Sequence, residues 1–158
     1  MTTLKTVEAD LVARDLRVAI VAARFNDFVV ARLIDGAVDA LVRHGASEKN
    51  LELVRVPGSF DLPLVARRLA QSRRFDAVVA LGAVVKGETA HFDHVAGQCA
   101  AGLARAALDS GVPVAFGVLT CDTFEQAIDR AGGKAGNKGA DAALAALELA
   151  NLLKRLEA

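Results

Sequence analysis

From Phe75 to Val85 the chain reads Phe-Asp-Ala-Val-Val-Ala-Leu-Gly-Ala-Val-Val, with no polar side chain after Asp76. A strand of that kind has no face to offer water, so it needs cover on both sides. Leu16 to Ala22, Leu51 to Val56 and Val112 to Leu119 also read as strands, rich in β-branched residues and bounded by polar or turn residues. Helical patterns separate them. Asp27 to His44 repeats apolar residues at helical spacing, with Val29, Leu33, Val38 and Leu41 on the buried face and Gly45 closing the helix. Ser59 to Ser72 is a second helix with Pro63 in its first turns, and His91 to Ser110 a third. Asp122-Thr-Phe-Glu125 resembles a capping arrangement that opens a short fourth helix. After the connection Gly132 to Gly139, an alanine- and leucine-rich helix finishes the chain. Strict alternation of strands and helices, with strands apolar on both faces, predicts an α/β three-layer sandwich: a four-stranded parallel sheet flanked by helices on both faces.

A chain of 158 residues, 53% hydrophobic and 24% charged, is the size of one compact domain, expected over 1–158 with an N-terminal arm at 1–15. Nineteen basic residues balance nineteen acidic ones, so no global field attracts nucleic acid or anionic lipid. Only Cys99 and Cys121 are present, neither in a disulfide framework nor in a metal-binding pair, which points to a reducing cytoplasm. No leader pattern opens the chain and no segment has the length and apolarity of a membrane span, so we expect a soluble, unprocessed, cytoplasmic protein. Alanine clusters in the third and last helices, Ala100-Ala101, Ala106-Ala107 and Ala142-Ala143-Leu-Ala-Ala146, suggest burial on more than one face and hence a homo-oligomer. High helix propensity alone also accounts for alanine there.

In an open parallel sheet, ligands bind beyond the carboxyl ends of the strands. The segments at those ends are Arg24-Phe-Asn-Asp27, Pro57-Gly-Ser-Phe-Asp61, Lys86-Gly-Glu-Thr-Ala-His91 and Thr120-Cys-Asp-Thr123. They carry an aromatic ring, a carboxylate, amide donors and a histidine. The N–H groups of Gly87, Glu88 and Thr89, beside a helix start, suit a phosphate or carboxylate. The imidazole of His91 beside them suits proton transfer. Structural roles compete with each of these. Phe25 fits a core residue ending a strand, Asn26 and Ser59 fit helix caps, and Asp61 fits a first-turn charge. His91 and His94 with Asp93 lack a third ligand of suitable spacing, so no metal site is expected. The Gly/Lys-rich loop at 132–139 lacks the spacing and hydroxyl of a nucleotide phosphate loop, and no dinucleotide fingerprint occurs. Arg130 beside it is suited to grip a phosphate, against the alternative of a flexible linker between helices.

Arg24-Phe-Asn26, Val56-Pro-Gly-Ser-Phe-Asp61, Leu81-Gly-Ala-Val-Val-Lys-Gly-Glu-Thr-Ala-His-Phe92 and the stretch Phe116 to Gly139 resemble, in this order, the 6,7-dimethyl-8-ribityllumazine synthase family, from about Arg17 to the C-terminus. The resemblance implies a flavodoxin-like fold and a transferase of riboflavin biosynthesis. Such an enzyme condenses 5-amino-6-(D-ribitylamino)uracil with 3,4-dihydroxy-2-butanone 4-phosphate, without metal or cofactor. It implies that Phe25 stacks on the uracil ring, with Asn26 beside it, and that Ser59, Phe60 and Asp61 hold the ribityl chain and ring edge. Main-chain groups of Ala83, Val84 and Val85 meet the pyrimidine, Glu88 and Thr89 bind phosphate through their N–H groups, Arg130 closes on it, and His91 moves protons. It further implies a pocket between neighbouring subunits of a pentamer, with Phe116, Arg130 and Lys138 facing the site of the adjacent chain.

Two positions depart from the family pattern. Asp61 stands where a glutamate is usual, which shortens the reach to the ribityl hydroxyls, and Glu88 places a carboxylate beside an expected phosphate unless its side chain turns to solvent. The short connection at 132–139 resembles the members that build sixty-subunit icosahedral shells. A non-catalytic flavin- or lumazine-binding module and a structural cage are the rivals on this scaffold. A phosphotransfer receiver domain is disfavoured, because paired acids after the first strand and an aspartate ending the third are absent.

Overall fold

The structure, a computed structural model, describes residues Thr3–Glu157; the first two residues of the arm and Ala158 lie outside the described residues. Strands β1 (Val18–Ala23), β2 (Leu51–Val56), β3 (Ala77–Val85) and β4 (Val114–Cys121) form a parallel sheet in the order β2-β1-β3-β4. Helices α1 (Asp27–Arg43), α2 (Leu62–Gln71), α3 (His91–Ser110), α4 (Phe124–Arg130) and α5 (Lys138–Glu157) follow in turn. The result is a three-layer α/β sandwich of flavodoxin-like arrangement.

The pleat divides the apolar strands between two cores. Val18, Ile20, Ala22, Val79, Leu81 and Ala83 pack with Val30, Leu33 and Leu41 of α1 and with Ala143, Ala146 and Leu147 of α5. Their neighbours Ala19, Val21, Val78, Ala80 and Val84 pack with Leu62, Ala66 and Leu69 of α2 and with Cys99 and Leu103 of α3. Each fully buried leucine or valine contributes roughly 1.5–3 kcal/mol over an exposed one. That double burial is why β1 and β3 carry no polar side chain. β2 differs from the expectation of apolarity on both faces: as an edge strand it keeps Glu52 and Leu53 exposed.

Boundaries shift for local reasons. β1 starts at Val18, although Leu16 is buried in the core, because the segment before it closes with β3: Asp76 donates its N–H to the Arg17 carbonyl at 2.7 Å, and Arg17 N–H donates to Asp76 Oδ2 at 2.9 Å. β4 begins only after Pro113, which has no N–H to donate to a ladder, and runs on to Cys121. Ser59–Asp61 forms a 3-10 turn ahead of α2, whose first turn holds Pro63. The cap of α4 is Thr123 rather than Asp122. Thr123 Oγ1 accepts the Gln126 N–H at 3.1 Å, while Gln126 Oε1 accepts the Asp122 N–H at 2.8 Å.

The connection expected at 132–139 is a two-stranded ribbon, β5 (Ala131–Gly133) with β6 (Gly136–Asn137), and α5 begins inside it at Lys138. The alanines of α5 pack within the chain, Ala142, Ala143 and Ala146 being buried. Those of α3 are divided: Ala106 is buried, whereas Ala100 and Ala101 are exposed, as is Leu108. The arm runs beside the end of α5, where the Asn151 amide donates to the carbonyls of Asp10 and Val12 and Arg155 pairs with Asp10 at 3.0 Å. Among the described residues no helix is long and apolar enough to cross a membrane.

Candidate active site

Beyond the carboxyl end of β1 the chain turns sharply. Asn26 sits at φ 63°, a left-handed conformation that asparagine tolerates better than most residues. It stands at the N-cap position of α1, yet its side chain does not cap. Its amide instead donates to the Ala83 carbonyl at 2.8 Å, joining the ends of β1 and β3. The same turn pushes Phe25 outward. Its ring is 71% exposed, so the alternative of a core phenylalanine is overturned. Arg55 of β2 braces the turn from the other side, its guanidinium on Asp27 at 2.6 Å.

Ser59 goes the opposite way. It is 7% exposed and does not cap a helix; the cap of its 3-10 turn is Gly58, whose N–H donates to Asp61 Oδ2 at 3.0 Å. Ser59 fits because Gly82 lies opposite: a Cβ on that glycine would stand 2.5 Å from Ser59 Oγ. Phe60 and Asp61 are both exposed.

After β3 the loop at 86–90 leads into α3. Lys86 N–H closes on the Cys121 carbonyl at 2.8 Å. The helix begins at His91, so the amides of Gly87, Glu88 and Thr89 lie ahead of its first turn, where none of them donates to an acceptor among the described residues. Thr89 Oγ1 accepts the His91 N–H at 3.3 Å. That leaves a row of free donors next to an exposed imidazole, the arrangement an oxyanion needs.

These segments converge. Phe25, Asn26, Ser59, Ala83, Val84, Val85, Gly87, Thr89 and His91 line a cavity of about 180 Å³, closed on the helix side by Phe92 and Val95. A wider depression of about 590 Å³ adjoins it, sharing Phe25, Ser59 and His91 and adding Phe60, Asp61 and His94. Glu88 lines neither and is exposed, consistent with a side chain directed at solvent. Among the described residues no three or more His, Cys, Asp and Glu side chains gather as a metal-holding group.

Phe116, Arg130 and Lys138 lie elsewhere. With Thr120, Cys121 and Gln126 they line a hollow of about 340 Å³ along the free edge of β4, which shares no residue with the other two. The segment Thr120–Thr123 therefore does not join the His91 cavity as its position at a strand end suggests; Asp122 and Thr123 are used in capping α4. Arg130 Nη1 donates to the Gln126 carbonyl at 3.1 Å, and Lys138 pairs with Asp141 at 3.6 Å. Burial pushes the Cys121 thiol up, opposed by the Arg130 guanidinium and reinforced by Asp122.

Sequence reasoning passed over Gly82, Phe92, Val95 and Arg55. A glycine inside an apolar strand was a legible sign of close approach at Gly82. Arg55 gave no such sign, since its partner Asp27 meets it only after β1 and β2 pair.

The sequence profile of the family described as 6,7-dimethyl-8-ribityllumazine synthase matches residues 15–154. The chain belongs to this family. Among its relatives, a protein of Halorhodospira halophila named 6,7-dimethyl-8-ribityllumazine synthase is 60% identical over 156 residues, covering 98% of this chain and 100% of its own. A protein of the same name from Chloroherpeton thalassium is 54% identical over 153 residues, covering 97% of this chain and 99% of its own. The four family motifs fall at the places just described: three around the His91 cavity and its adjoining depression, the fourth along the β4 edge and the ribbon.

Proposed function

We propose that the chain is a 6,7-dimethyl-8-ribityllumazine synthase, joining 5-amino-6-(D-ribitylamino)uracil to 3,4-dihydroxy-2-butanone 4-phosphate with release of phosphate and water. The observation that carries this is the shared cavity of Phe25 and His91, with Ser59 and the ends of β1 and β3 between them. Phe25 gives a flat apolar surface for the pyrimidine, next to Asn26 and the main chain of Ala83, Val84 and Val85. Ser59, Phe60 and Asp61 face the ribityl chain. The free amides of the 86–90 loop, Glu88 and Thr89 among them, take the phosphate.

The chemistry asks more for placement than for a strong nucleophile. The substrate amine adds to the ketone and loses water to form an imine, phosphate departs, and ring closure releases a second water. His91 relays protons between the reacting nitrogen, carbon and oxygen atoms. Charge on the departing phosphate is met by the loop amides and by Arg130.

A single chain does not bring Arg130 to His91. We propose that the two hollows are halves of one site, joined when the β4 edge of one chain meets the His91 cavity of the next in a homo-oligomer, a pentamer or a shell of pentamers. Exposed Phe116 on that edge and the exposed alanine face of α3 support the assembly. Light scattering gives its size; a strictly monomeric protein overturns the composite site.

Mixing the purified protein with both substrates and following lumazine fluorescence tests the activity. A binding module gives no substrate-dependent product. Product formation at enzymatic rates supports the proposal, and its absence in the assembled protein defeats it.

A further inference from the structure

One side chain outside both hollows holds together the segment that carries Arg130. Asn137 Nδ2 donates to the Arg32 carbonyl of α1 at 3.0 Å, while its Oδ1 accepts the N–H groups of Gly139 at 2.8 Å and Ala140 at 3.1 Å, capping α5. The same residue pairs with Ala131 in the ribbon, and Ala131 directly follows Arg130. Lys138, next in sequence after Asn137, lines the same hollow as Arg130. The packing around Asn137 has no slack. A Cβ on Gly36 would overlap the Asn137 amide, and a Cβ on Gly139 would overlap the Leu33 carbonyl.

Three elements thus meet at one residue: α1 and the start of α5 at its side-chain amide, and the strand that leaves Arg130 through its place in the ribbon. Among the described residues Arg130 makes one hydrogen bond, to the Gln126 carbonyl of its own helix; Ala127, one turn earlier, is buried in the core, and the end of the helix runs straight into the ribbon, whose turn holds it through the Ala135 N–H on the Asp129 carbonyl at 2.9 Å. We infer that Asn137 is the positioning residue for Arg130, setting through the ribbon where the guanidinium stands in the hollow. The inference rests on the proposed role of Arg130 in holding the phosphate-bearing substrate.

The test is a cycle of Asn137→Ala, Arg130→Ala and the double variant, read as KM for the phosphate-bearing substrate and inhibition by inorganic phosphate. Asn137→Ser is carried alongside, since serine retains an oxygen for the α5 amides and keeps the helix capped while losing the tie to Arg32. We expect both Asn137 variants to raise that KM about tenfold with kcat changed much less, as a displaced binding group does. In the Arg130→Ala background the same changes add nothing further, because the group they displace is already gone. Unchanged KM in both Asn137 variants, with KM raised by Arg130→Ala, overturns the positioning role alone. So does a full additional rise in the double variant. Wild-type KM in Arg130→Ala overturns the phosphate role of Arg130 and this inference with it.

Discussion

Asn26 and Ala83, 57 positions apart in sequence, are joined by a hydrogen bond of 2.8 Å from the side-chain amide to the main-chain carbonyl. The bond ties the turn that displays Phe25 to the strand end that feeds the His91 loop, so the aromatic ring and the imidazole share one anchor. Asn26→Ala loses the bond and places alanine at φ 63°, which together cost about 1–3 kcal/mol. Asn26→Gly relieves the backbone but not the lost bond. We expect denaturant midpoints in the order wild type, glycine, alanine, and a raised KM for the pyrimidine substrate in both; equal midpoints for the two variants would refute the backbone part of this account.

Replacing His91 by alanine removes the proposed proton relay and leaves the exposed first turn of α3 otherwise intact. We expect kcat to fall by about 10²–10⁴ with the assembly unchanged in size. Steady-state turnover and light scattering on the same preparation check both halves, and wild-type kcat would remove His91 from the mechanism.

Arg130→Ala deletes the charge-assisted contact to phosphate proposed above, which is expected to raise KM for the phosphate-bearing substrate about ten- to a hundredfold. Binding of the pyrimidine substrate alone, followed by fluorescence, is expected to stay near wild type.

Gly139 leaves no space between the start of α5 and the Leu33 carbonyl of α1. Gly139→Ala forces the two helices apart, at a cost of about 3 kcal/mol. Chemical denaturation measures this, and a loss within experimental error of zero would show that the α1–α5 contact yields easily.

Burial in the α2–α3 core pushes the Cys99 thiol up to about 11, from an ordinary 9.0. Above pH about 9 the unfolded chain loses this proton while the folded chain keeps it. The contribution is therefore complete below about 9 and is lost as pH rises through about 11, at close to 1.4 kcal/mol per unit. Denaturant titrations across that range should show a slope in the wild type that Cys99→Ala lessens; identical slopes would mean that the thiol does not titrate with folding.

The layered architecture was legible because apolarity on both faces of Ala77–Val85 admits few solutions, and the position of the cavity followed from the parallel sheet. Phe25, Asn26, Ser59 and His91 were all found at strand ends. Their local roles were harder to read. Asn26 and Ser59 have the chemistry of caps, and only the pairing of β1 with β3 takes Asn26 to the Ala83 carbonyl, and only the missing Cβ at Gly82 makes room for Ser59. The cap of α4 moved by one residue because Gln126, not Glu125, is placed to answer it. The ribbon at 131–137 was invisible in a glycine-rich stretch with no alternation, and Asn137 gave no sign that its side chain reaches α1 across the fold. The separation of Arg130 from His91 was expected only through the family resemblance.

That separation has a genetic consequence. Under the composite site proposed above, a chain lacking the imidazole and a chain lacking the guanidinium are defective in different halves. Co-assembled in equal amounts, they bring two sound halves together at about a quarter of their junctions. Two defective alleles expressed in one cell would then complement each other, with activity restored by subunit exchange between proteins that are each impaired alone.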